Sequence, residues 1–156
     1  MEDEKLLKKA RNRALRYLTY RSRTVKELQD YLAKKNTPAV AADQVIGEMK
    51  EYGYLDDGRF AEDYIKYRQM RGYGKIRISY ELSLKGLSRN LIEEKLQECY
   101  DFEAEKDLIN KLVSGRTSPD QSIDERWLAR QAGFLKRRGF SDTLIIDILS
   151  AYKVSD

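Results

Sequence analysis

Residues 82–96 read LSLKGLSRNLIEEKL, and residues 135–149 read LKRRGFSDTLIIDIL. A single offset aligns Gly86 with Gly139 and brings a serine and a set of leucines and isoleucines into register. Each copy has the pattern of a helix that ends at glycine, one apolar residue, a capping serine and a second amphipathic helix. The sequence therefore contains an internal repeat, and its unit is a helix-turn-helix.

A fainter third copy lies upstream. A capping box that starts at Thr24 predicts the start of its first helix, and Leu28 and Leu32 share one face of that helix. Its turn reads Asn-Thr-Pro at residues 36–38. Asparagine tolerates the left-handed conformation that glycine supplies in the other copies, and Pro38 suits the first position of the next helix.

Helical periodicity recurs along the whole chain, and no segment shows the strict alternation of a half-buried strand. We predict an all-α protein of three tandem three-helix repeats in an extended, curved arrangement. The predicted repeats cover residues 1–55, 56–101 and 102–156. Leucines expected at equivalent buried places in the second and third repeats are Leu82, Leu91, Leu96, Leu135, Leu144 and Leu149.

The composition favours small linked modules with a well-solvated surface. The chain has 156 residues, so each of three repeats can bury only a small core. Charged residues make up 36% of the chain, which indicates a well-solvated surface. The formal net charge of +4 makes an acidic partner plausible without requiring one.

The single cysteine excludes a disulfide within the chain, and the absence of histidine removes the usual zinc sites and histidine-based triads. A reducing compartment is the simplest interpretation. No apolar run is long enough to span a membrane, and the acidic start differs from a secretory signal. We expect a cytoplasmic protein without cofactors.

Three features resemble parts of enzymes. Acidic residues at 56–57 and 62–63 could hold a divalent metal, but aspartates at a helix start are explained more simply by capping. Residues 72–75 (GYGK) lack the spacing of a phosphate-binding loop. Cys99 has no histidine to activate it and is interpreted as a core residue. We therefore predict no catalytic, cofactor-binding or metal-binding residue, and no enzymatic activity.

Basic residues collect around the helix-turn-helix units, with tyrosines between them. Such mixtures suit contacts with phosphates, although a solvated helix face is the competing interpretation for each residue. If they contact a partner, they should be exposed in the free protein. The residues predicted to form a partner- or DNA-binding surface are Arg71, Tyr73, Lys75, Arg77, Lys85, Arg89, Arg130, Lys136, Arg137 and Arg138.

The chain resembles the RecX family, the bacterial regulators of the RecA recombinase. The motifs that carry the resemblance are TVKEL at residues 24–28, GYLDDGRFA at 53–61, GKIRI at 74–78, and Glu81-Leu82 with KGL at 85–87. Their order and spacing form a specific combination. The Asn-Thr-Pro turn is a departure, since the first unit of the family often has a Lys-Gly turn there.

The resemblance implies a non-enzymatic protein of three three-helix repeats. Three unequal repeats in one chain need no symmetry partner, so we predict a monomer. The resemblance also implies that the protein binds the RecA filament along its groove and restrains ATP hydrolysis, strand exchange and co-protease activity, and so acts in homologous recombination, DNA repair and the SOS response. Binding to single- or double-stranded DNA alone is expected to be weak, and no membrane is involved.

Two other function classes compete with this interpretation. A helix-turn-helix DNA-binding protein or transcriptional regulator without RecA specificity would usually dimerise to read two half-sites. A metal-dependent nuclease would lose DNA cleavage when the aspartates at 56–57 are replaced.

Overall fold

The computed structural model describes residues 1–153, and in that range the chain is all-helical, with nine α-helices and no strand. The predicted fold class is therefore confirmed: the helices form three successive sets of three. In order they are α1 (Glu2–Tyr20), α2 (Val25–Lys34), α3 (Ala39–Glu51), α4 (Asp57–Met70), α5 (Lys75–Leu84), α6 (Arg89–Cys99), α7 (Phe102–Gly115), α8 (Glu125–Arg137) and α9 (Asp142–Lys153). None of these described helices combines the length and apolarity needed to span a bilayer.

The three predicted turns share one backbone conformation. The angle φ is 60° at Asn36, 90° at Gly86 and 91° at Gly139, which places all three in the left-handed region. After Gly86, the amide of Leu87 donates to the carbonyl of Leu82 at 3.3 Å. The same bond follows Asn36 and Gly139, so each helix ends in a Schellman motif.

The helix starts also follow the predicted capping. Ser88 and Ser141 each accept a 3.2 Å hydrogen bond from the backbone amide three residues on. Thr24 and Glu27 form the expected capping box. Pro38 lies at the N-cap of α3 and not at its first helical position, because the helix begins at Ala39.

The structure divides into two units, each with its own set of internal contacts. Unit 1 comprises Met1–Asp63 and Leu82–Ile92, and unit 2 comprises Tyr64–Glu81 and the described residues from Glu93 onward. Helices α4, α5 and α6 contribute residues to both units. The predicted repeat boundaries and the extended, curved arrangement stay predictions.

Each unit has an apolar core. In unit 1, two alanines of α1 lie in one buried cluster with the leucines of α2. The buried residues there are Ala10, Ala14, Leu28, Leu32, Val45, Ile46, Met49 and Leu55. In unit 2, Trp127 is the largest buried side chain. It lies among Ile109, Val113, Leu135, Phe140, Leu144, Ile145, Ile148 and Leu149.

Five of the six leucines predicted from the repeat are buried, and Leu91 is the exception. It is half-buried, whereas the neighbouring Ile92 is only 2% exposed. Successive residues on a helix point about 100° apart, so the residue that faces the core most directly here is the isoleucine.

In unit 1, the start of α2 packs on the turn between α5 and α6. The hydroxyl of Thr24 donates to the carbonyl of Lys85 at 2.7 Å. The backbone amide of Val25 donates to the carboxylate of Asp57 at 2.9 Å. A Cβ added to Gly86 would overlap the side chain of Lys26. The glycine therefore ends α5 and also permits this close contact.

Unit 2 repeats this arrangement at the start of α5, which packs on the turn between α8 and α9. The amide of Gly74 donates to the carbonyl of Arg138 at 2.8 Å. The backbone amide of Lys75 donates to the carboxylate of Glu105 at 2.9 Å. A Cβ added to Gly139 would overlap Arg77. In both units, a helix start thus packs on a glycine turn. An acidic side chain from another helix, Asp57 in unit 1 and Glu105 in unit 2, accepts a hydrogen bond from the first backbone amide of that helix.

Candidate partner-binding surface

Three arginines surround the ring of Tyr73 in unit 2. The guanidinium carbon lies 3.9 Å from the ring centroid for Arg68, 4.5 Å for Arg77 and 4.7 Å for Arg138. Guanidinium groups favour aromatic faces through cation–π attraction. The ring is therefore occupied by cations of the same chain, and it is poorly suited to the base stacking that its sequence position suggests.

Glu81 compensates part of this positive charge. Its two carboxylate oxygens accept 2.9 Å bonds from Nε and Nη2 of Arg68, and one of them lies 3.5 Å from Nε of Arg77. The hydroxyl of Tyr64 donates to the same carboxylate at 3.1 Å. Burial, together with the charge of Glu81, raises the pKa of Tyr64 to about 12.

Arg138 is held by a backbone group. Its Nη1 donates to the carbonyl of Arg71, just beyond the end of α4, at 2.9 Å. Arg71 itself donates to the hydroxyl of Tyr67 at 2.8 Å. Within residues 1–153, neither arginine forms an ion pair with a carboxylate, so their charges add to the local positive potential.

The remaining predicted residues of unit 2 lie at different places. Lys75 is half-buried, with its Nζ 4.0 Å from a carboxylate oxygen of Glu105. Exposed Arg137 offers its carbonyl to Arg77 at 3.4 Å, and exposed Lys136 lies 3.4 Å from Asp142. Arg130 is exposed on α8.

Lys85 and Arg89 belong to unit 1. Lys85 is half-buried, with its Nζ 5.9 Å from the ring centroid of Phe60, and Arg89 is exposed at the start of α6. The expected exposure of the basic residues is thus wrong for Arg138, which is half-buried against Arg71 and Tyr73, and for the two lysines Lys75 and Lys85. Both lysines stand beside glycine contacts where a helix start meets a turn, and that packing covers their side chains.

Two of the four acidic residues considered as a metal site, Asp56 and Asp57, serve the fold. Asp56 accepts a 3.1 Å bond from the amide of Arg59, as a capping residue does. Burial raises the pKa of Asp57, which accepts the bond from α2 described above. Among the described residues, no group of three or more histidines, cysteines, aspartates and glutamates is placed to hold a metal ion. Cys99 is half-buried.

Sequence reasoning missed Arg68 and Glu105 as parts of this surface. Arg68 falls on the apolar stripe of α4. A charged residue on such a stripe indicates that an oppositely charged side chain of the same chain pairs with it. Glu105 is only 6% exposed and caps α5 from α7, across 30 residues of chain. No local pattern indicates that cap.

The Glu81 network gives a stability prediction. We expect Glu81→Gln to lower the free energy of unfolding by about 1–3 kcal/mol, because it leaves the mostly buried guanidinium of Arg68 without its carboxylate. Urea unfolding followed by circular dichroism measures the loss.

Asp30→Asn is the matched control, since it also removes one negative charge. Its pair with Lys26 is solvent-exposed, with side chains 67% and 52% accessible, and exposed pairs contribute about 0.5 kcal/mol or less. Equal losses in the two variants would mean that the Arg68 pair is worth no more than a surface pair.

The chain matches two protein-family models. Residues 10–49 match the first three-helix domain of RecX, and residues 56–96 match the second.

Two similar proteins carry the same name. Regulatory protein RecX of Halorhodospira halophila is 36% identical over 132 residues, which cover 84% of this chain and 80% of that protein. Regulatory protein RecX of Bacillus pumilus is also 36% identical, over 143 residues covering 89% of this chain. The match spans only 53% of the Bacillus protein, about half its length.

The fold has a close match among solved structures. The crystal structure of RecX from Lactobacillus salivarius superposes with a TM-score of 0.85, and the match covers 97% of this chain and 99% of that one. At 24% identity, this match supports the shared fold.

Proposed function

The chain belongs to the RecX family of regulatory proteins, and on that basis we propose that it regulates a RecA recombinase by binding the recombinase–DNA filament. In this proposal, the bound protein restrains ATP hydrolysis, strand exchange and co-protease activity. It acts by occupying the filament and not by catalysis. It works as a monomer in the cytoplasm and binds bare DNA weakly.

The excess of positive charge around Tyr73 carries the proposal. Four arginines of unit 2 lie in or beside this cluster: Arg68, Arg71, Arg77 and Arg138. The carboxylate of Glu81 pairs with two of them, Arg68 and Arg77, and the backbone carbonyl of exposed Arg137 accepts a bond from Arg77. A filament of protein and DNA presents phosphates and carboxylates, and both attract guanidinium groups. The charges are also held in place by the fold, which reduces the ordering cost of binding.

The direct test is the ATPase activity of RecA on single-stranded DNA while this protein is titrated in. We expect hydrolysis to fall as the protein approaches stoichiometric amounts. No effect at those amounts would contradict the proposal and favour a helix-turn-helix DNA-binding protein without RecA specificity.

A triple variant tests the surface. We expect replacement of Arg77, Lys136 and Arg137 with alanine to weaken filament binding about tenfold or more and to reduce its salt dependence, by about one unit of slope for each lost phosphate contact. The measurement is filament binding at several salt concentrations. Lys75 and Lys85 are left intact because they are half-buried.

The control variant replaces Lys5, Lys8 and Lys9, which are exposed on α1, and so removes the same charge elsewhere. Equal losses on filaments and on bare single-stranded DNA would place the surface on DNA. A loss on filaments alone would place it on acidic surfaces of the recombinase. Unchanged affinity in a folded variant would refute this binding surface.

A further inference from the structure

Unit 2 also contains a groove of about 450 Å³, lined by residues from the end of α4, from α7 and from α8. Its apolar lining includes Leu108, Leu112 and Phe134, all half-buried, and Met70, which is 88% exposed. The groove thus offers an apolar surface that is open to solvent.

Four cations line the same groove: Arg71, Lys111, Arg116 and Arg138. Its lining contains no carboxylate. In the part of the chain that the structure describes, none of the four cations forms an ion pair with an acidic side chain. The groove therefore combines uncompensated positive charge with apolar contact area.

Two of these cations are held in place by neutral groups. Nε of Arg116 donates at 2.7 Å to the side chain of Gln131, which is only 3% exposed, and its guanidinium carbon lies 3.9 Å from the ring centroid of Phe134. Arg138 is anchored on the carbonyl of Arg71. Because carbonyl oxygens orient these guanidinium groups without neutralising them, both stay suited to bind anions.

We propose that this groove binds an acidic peptide segment of a partner protein, with one aliphatic side chain on Leu108 and Leu112 and flanking carboxylates on the four cations. Charge complementarity is the argument for this occupant. Guanidinium forks match carboxylates in geometry, and an aliphatic anchor fits an aliphatic lining.

The same lining disfavours a nucleic acid. Single-stranded nucleic acids bind through bases stacked on open aromatic rings. Phe134 is the one aromatic residue in the groove lining. The guanidinium carbon of Arg116 lies 3.9 Å from the centroid of its ring, and that of Arg138 lies 5.2 Å from it. The inference goes beyond the proposed function, because it concerns an acidic peptide that this chain binds without the recombinase filament.

The test uses a fluorescein-labelled peptide of about 12 residues, composed of glutamate and aspartate around one leucine. Fluorescence polarisation measures its affinity for the full chain. We expect Lys111→Glu to weaken binding about tenfold, whereas Lys66→Glu, which reverses one exposed charge on α4, weakens it by about twofold or less. Circular dichroism checks that both variants are folded.

Two further probes complete the test. A peptide with alanine in place of the leucine is expected to bind several-fold more weakly, and equal binding would overturn the apolar part of the proposal. An oligothymidine strand is expected to compete poorly. Competition that also depends on Lys111 would overturn the peptide assignment in favour of a nucleic acid, and equal effects of the two charge reversals would overturn the groove itself.

Discussion

Replacement of Gly139 with alanine is expected to destabilise unit 2 by about 2–5 kcal/mol. Two effects contribute. The residue has a φ of 91°, which an L-residue with a Cβ rarely adopts, and the new Cβ would overlap Arg77 and lie 2.6 Å from its backbone nitrogen. Urea unfolding followed by circular dichroism measures the change.

Two other glycines separate the effects. Gly53 also has a positive φ of 81° but nothing within 4 Å of an added Cβ, so Gly53→Ala should cost about 1–2 kcal/mol from the backbone alone. Gly74 does not have a positive φ, and its added Cβ would lie 2.5 Å from the carbonyl oxygen of Gly139. Gly74→Ala should therefore cost about 1–3 kcal/mol from crowding alone.

This series can contradict the structure directly. If Gly139→Ala costs no more than Gly53→Ala, then α5 does not pack closely on the turn that follows α8. If Gly74→Ala is neutral, the contact between these two backbones is looser than the structure has it.

Replacement of Leu82 with alanine is expected to lower the free energy of unfolding by about 2–5 kcal/mol. Leu82 is fully buried in unit 1, and its shortening leaves a cavity that close packing does not refill. The same urea experiment measures the loss. We expect unit 1 of the variant to unfold at a much lower urea concentration than in the unchanged protein.

Leu84→Ala is the matched control, because it makes the same substitution two positions along the same helix. Leu84 is 63% exposed, so its loss should change stability by about 0.5 kcal/mol or less. A similar cost for the two leucines would show that the inner face of α5 is assigned wrongly, and with it the alignment of Leu82 with Leu135.

The ten residues predicted from charge stay a prediction as a binding surface. The structure gathers Tyr73, Arg77 and Arg138 with Arg68, and it places Lys85 and Arg89 in the other unit. Basic residues close together in sequence therefore divide between the two units. Charge patterns predict which residues could bind an anion, but only packing decides which of them act together.

The amino-acid sequence by itself determined the helices, their ends and the repeat. Those features depend on residues a few positions apart: Ser88 caps the amide three residues on, and Gly86 ends a helix through bonds within its last turn. The tertiary structure decided the pairings across long stretches of chain. Glu81 meets Arg68 across 13 residues, Gln131 meets Arg116 across 15, and Glu105 caps α5 across 30. Such contacts depend on how whole helices pack, and no local spacing in the sequence records that packing.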